Sequence, residues 1–76
     1  METNFVVTGT IFYNAIETGY WGIEEQSGKR WRLVSPPPKI EHQNLKITIH
    51  ARHADEDMSI FMTDDPIEVI SFEIIN

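Results

Sequence analysis

The chain has 76 residues, with twelve Asp and Glu against six Lys and Arg, and no cysteine. At this length residues 1–76 form a single domain, and folding hides only about 60% of the surface the unfolded chain exposes, so the core needs nearly every large apolar side chain. The missing cysteines exclude disulfides and thiolate metal sites, no run approaches the about 20 apolar residues of a membrane helix, and the net charge of −6 opposes broad attraction to phosphate backbones.

The N-terminus, Met-Glu-Thr-Asn-Phe-Val-Val, lacks a basic region followed by an apolar run, so a cytoplasmic protein is expected, with no membrane association. Residues 5–13 are mostly β-branched or aromatic and predict a long first strand. Phe5, Val7, Gly9, Ile11 and Tyr13 fall on one face, and Val6, Thr8, Thr10 and Phe12 on the other. Gly9, inside that strand, marks a bulge or the bend that a small barrel requires. Residues 14–18 connect to the next strand, with Glu17 a solvated loop charge.

Residues 19–33 contain both tryptophans and predict a hairpin. A two-residue Ser27-Gly28 turn would mix apolar and charged side chains on both faces. A three-residue loop, Gln26-Ser27-Gly28 with Gly28 left-handed, sets Ile23 opposite Trp31, Trp21 opposite Leu33 and Glu24 opposite Arg30. Trp21, Ile23, Trp31 and Leu33 then face the core, while Tyr20, Gly22, Glu24, Arg30, Arg32 and Val34 share the reverse face.

Pro36-Pro37-Pro38 ends the third strand, because proline donates no backbone hydrogen bond. Residues 39–44 are expected to make one irregular or helical turn, with Ile40 as an apolar plug and Asn44 in a left-handed conformation. Residues 45–54 alternate strictly, Leu45, Ile47, Ile49 and Ala51 against Lys46, Thr48, His50 and Arg52, and predict a fourth strand. Asp55, Glu56 and Asp57 make an acidic connection to a fifth strand, residues 58–63, which forms a hairpin with the fourth and ends at Asp64-Asp65-Pro66. In residues 67–75 the apolar positions switch faces, and a bulge near Ile70 restores one core face.

Six short strands without a helix predict an all-β domain. Closing them into one small barrel, complete or partly open, of five to six strands removes the exposed edges that template aggregation. The oligonucleotide/oligosaccharide-binding (OB-like) type is the expected architecture, with an SH3-like barrel as the alternative.

Catalytic and metal chemistry find no support. His50 and His53 lie three apart and point to opposite faces of a strand, and His42 is in a loop. The carboxylates of residues 55–57 and the pair Asp64-Asp65 lack an EF-hand spacing, and no serine has a nucleophile-elbow context. The protein is therefore expected to be no enzyme, with no cofactor and no metal.

Gly9-Thr10-Ile11, Gly19-Tyr20-Trp21-Gly22-Ile23, Ser27-Gly28-Lys29-Arg30-Trp31, the proline loop, Asn44-Leu45, Ser59-Ile60-Phe61-Met62 and Pro66-Ile67-Glu68-Val69 resemble, in order and spacing, a group of small uncharacterised bacterial and archaeal proteins with OB-like barrels. The chain departs from that pattern at Thr63-Asp64, where Trp-Gly is more usual, and in its Ser-Pro-Pro-Pro run. The resemblance implies a fold and no chemistry.

The expected role is a binding or protein-interaction module. Its candidate ligand-binding residues are Tyr20, Arg30 and Arg32, an aromatic ring with two guanidinium groups on the outer face of strands two and three. Single-stranded nucleic acid is the alternative ligand, and the acidic net charge counts against it. Another protein, or a second copy of the chain, would use a strand edge or an apolar patch around Phe12, Phe61 and Phe72.

Overall fold

A computed structural model describes residues 4–15, 19–54 and 65–75. They form five strands, β1 (Asn4–Asn14), β2 (Tyr20–Glu25), β3 (Arg30–Val34), β4 (Lys46–His53) and β5 (Asp65–Ile74), with one 3-10 turn at Pro38–Ile40. The sheet closes on itself in the order β1-β2-β3-β5-β4, with β4 returning to β1. Among the described strands only the β3–β5 pair is parallel. The strand expected over residues 58–63 lies outside the described residues, as do Glu17, Asp55, Glu56, Asp57 and Asp64.

Closure depends on β1 serving two partners. Its residues 4–10 pair with β4 and its residues 9–14 with β2, so Gly9 and Thr10 belong to both ladders. At this corner the backbones crowd: a Cβ on Gly9 would sit 2.2 Å from the Glu24 carbonyl oxygen. Gly9 therefore marks the expected bend, because no larger residue allows the approach.

The hairpin has the register its side chains demand, Ile23 opposite Trp31 and Glu24 opposite Arg30. The Glu25 N–H donates to the Lys29 carbonyl at 2.9 Å, the Gly28 N–H donates to the Glu25 carbonyl at 2.9 Å, and Gly28 has φ of +100°. These features define a three-residue loop with glycine at the left-handed position.

The core is aliphatic. Val7, Ile11, Ile23, Leu33, Ile47, Ile49, Ala51 and Ile67 are buried along the barrel, and Ile40, carried by the 3-10 turn after the prolines, is wholly buried among them. Asn44 has φ of +71°, closing that connection as expected. Both tryptophans are half-buried and pack against this core rather than inside it. Trp21 lies 5.0 Å from Tyr13, whereas Trp31 lies 5.2 Å from Phe5, toward the other end of β1. Trp31 satisfies its indole N–H by donating to Glu25 Oε2 at 2.7 Å.

In β5 the bulge falls where the sequence places it. Ala51 pairs with Val69 and His50 with Ser71, leaving Ile70 as an extra residue, 48% exposed, while Ile67 is buried and Phe72 packs on the core. One inserted residue thus reconciles the two apolar phases of the strand. No helix among the described residues is long and apolar enough to cross a membrane.

Candidate functional site on the outer face of the hairpin

The three candidate residues come from one face of the sheet, and the β1–β2 register adds a fourth. Phe12 pairs with Gly22, and Gly22 pairs with Arg32, so one row runs across three strands. Gly22 presents no side chain there, and the Phe12 ring fills the vacancy: a Cβ on Gly22 would lie 2.5 Å from Phe12 Cζ.

Leaning across β2 in this way, Phe12 reaches the side chains of β3. The Arg30 guanidinium carbon lies 4.8 Å from the Phe12 ring centroid, although the two residues are on strands separated by β2. On the other side, Tyr20 meets Phe12 edge-on, with centroids 6.4 Å apart and planes at 70°. The result is a continuous run Tyr20, Phe12, Arg30, flanked by the half-buried Arg32. Tyr20 is anchored through its hydroxyl oxygen, which accepts a hydrogen bond from Asn14 Nδ2 at 3.2 Å. The face therefore carries two aromatic rings, where the hairpin alone offers one.

The ion pair expected across the hairpin is present and loose. Arg30 Nε is 3.9 Å from Glu24 Oε1, with side chains 48% and 43% exposed. A surface pair of this kind is worth about 0–1 kcal/mol, so it holds Arg30 weakly. Lys29 turns to the other side of β3, with its ammonium 4.6 Å from the Trp31 centroid and 3.0 Å from Asp65 Oδ2.

Two of the six Lys and Arg, Arg30 and Arg32, lie on this face of β3, with Glu24 opposite Arg30.

The alternative features do not assemble in the same way. Phe72 packs against the core and Phe12 lies on the outer face, so they form no shared apolar patch, and Phe61 is outside the described residues. His53 stacks on Phe5 at 4.9 Å, while His50 is exposed opposite Val6. Among the described residues no group of three or more His, Asp or Glu is placed to hold a metal ion.

These features define a small all-β protein, a closed five-stranded sheet with an aromatic and cationic outer face. Comparison with protein-family models, curated proteins and solved structures finds no match to the chain.

Proposed function

We propose that the protein is a non-catalytic OB-like binding module that takes single-stranded nucleic acid across the outer face of β1, β2 and β3. The run Tyr20, Phe12, Arg30 carries this reading: two rings and a guanidinium plane in contact across three strands offer stacking surfaces for successive bases. The strand order, with the parallel β3–β5 pair closing a five-stranded sheet, supports the OB-like assignment.

Magnitudes favour release of Arg30 to a ligand. Base stacking on an aromatic ring contributes about 1–3 kcal/mol per base, more than the about 0–1 kcal/mol of the exposed Glu24 pair it would displace. Phosphate contacts then fall to Arg30 and Arg32. The excess carboxylates oppose binding over a longer range, so affinity is expected to be modest and to fall steeply with salt.

Fluorescence anisotropy of short labelled single-stranded DNA and RNA at low salt tests the proposal. Binding is expected with both backbones, weakened by added salt. No binding at high micromolar protein would contradict it.

A further inference from the structure

The row of side chains next to the aromatic run is polar. Thr10 stands two residues before Phe12 on β1, hence on the same face, and is registered opposite Glu24 of β2 and Lys46 of β4, while Glu24 is itself opposite Arg30. A hydroxyl and a carboxylate thus lie one step of the sheet, about 7 Å, along from Phe12. Beside them, among the described residues, is an open groove of about 540 Å³ whose walls include Thr8, Thr10, Glu24, Gln26 and Lys46. It has room for a sugar.

Glu24 is the group whose surroundings change most when a strand of bases occupies the rings. In the free protein its carboxylate is 43% exposed and its pair with Arg30 is loose, at 3.9 Å. When Arg30 turns to a base or a phosphate, that pair is given up and the carboxylate is left against the bound backbone. A carboxylate covered by a ligand that offers it no donor is costly. Deoxyribose presents only a CH₂ at the 2′ position, whereas ribose presents an O–H that donates.

We infer, resting on the nucleic-acid reading of this face, that the ligand is RNA, with Glu24 accepting a hydrogen bond from a ribose 2′-hydroxyl beside the Phe12 ring and the Thr10 hydroxyl adjoining it. A carboxylate accepts and cannot donate, so it repels phosphate and selects the sugar hydroxyl. Arg30 and Arg32 hold the phosphates. Glu24 therefore weakens DNA binding uncompensated, and RNA recovers the loss.

Anisotropy titrations at low salt with three labelled strands of one sequence test this: RNA, DNA carrying deoxyuridine in place of thymidine, and 2′-fluoro RNA, which keeps the ribose pucker and lacks the donor. RNA is expected to bind roughly tenfold more tightly than the other two, the scale of one hydrogen bond to a charged group. Glu24→Ala, at an exposed position, should bring the ratio of RNA to DNA affinity close to one, and Thr10→Val should lower it. Glu24→Gln should favour DNA more than RNA. Lys46→Ala, which alters charge on the far wall, should change both affinities alike and leave the ratio intact. Equal binding of RNA and DNA overturns the inference while leaving nucleic-acid binding in place, as does a preference that 2′-fluoro RNA retains or that Glu24→Ala leaves intact. Absence of binding by all three strands overturns both.

Discussion

Arg30 and Phe12 lie on strands that are not neighbours, yet the guanidinium of one sits 4.8 Å from the ring centroid of the other. Glycine at position 22 makes this possible, since the ring crosses β2 where a side chain would stand. The contact joins the side chains of β1 and β3 into one surface, and the proposed function rests on it.

Replacing Phe12 should therefore damage recognition more than its distance from the hairpin suggests. Phe12→Leu keeps apolar cover over Gly22 and removes the ring. Affinity for single-stranded oligonucleotide is expected to fall by about 1–3 kcal/mol, roughly 5- to 150-fold, as read by anisotropy, with the thermal midpoint changing far less than the affinity.

Arg30→Ala should weaken binding to all sequences and lower the dependence of log affinity on log salt by about 1, the value for one phosphate contact. Glu24→Gln should act oppositely, strengthening binding by removing a competing carboxylate. Titrations at several salt concentrations measure both.

The glycines separate crowding from backbone conformation. At Gly9 an added Cβ would meet the Glu24 carbonyl at 2.2 Å, and at Gly22 it would meet the Phe12 ring and the Trp31 carbonyl at 2.5 and 2.6 Å. Alanine is expected to cost about 1–3 kcal/mol at Gly22, and at least that at Gly9, where the obstacle is backbone alone. At Gly28 nothing lies within 4 Å, but φ is +100°, so alanine should cost about 1–2 kcal/mol from conformation only. Urea denaturation of the three variants gives the ranking.

The plug and the bulge test the core. Ile40 is fully buried, and Ile40→Ala should cost about 2–5 kcal/mol, enough to unfold much of a marginal domain. Ile70→Thr, at an exposed bulge, should change stability by no more than about 0.5 kcal/mol. Deleting Ile70 instead removes the bulge and leaves Val69, Ser71 and Phe72 in regular alternation with Phe72 still on the core face, so the cooperative thermal transition is expected to persist.

What the sequence revealed and what it concealed divide along the range of the interactions involved. The loop at Gly28, the left-handed Asn44, the plug at Ile40 and the bulge at Ile70 are local matters, decided by a residue's allowed φ or by alternation over a few positions. The membership of Phe12 in the candidate face is not local. It depends on the β1–β2 register and on the bend at Gly9, which no neighbouring residue specifies. The same limit hid the parallel β3–β5 pair, whose partners are more than thirty residues apart. Apolar patterning assigned both tryptophans to the inner face correctly, but it carries no information on distance from the barrel ends, and there they are only half-buried.

The measurement closest to the central claim is a two-dimensional amide NMR titration with a short single-stranded oligonucleotide at low salt. Binding across the outer face predicts shift changes concentrated at Phe12, Tyr20, Gly22, Glu24, Arg30 and Arg32, with residues of β4 unaffected. No shift changes, or changes confined to residues away from β1, β2 and β3, would contradict it.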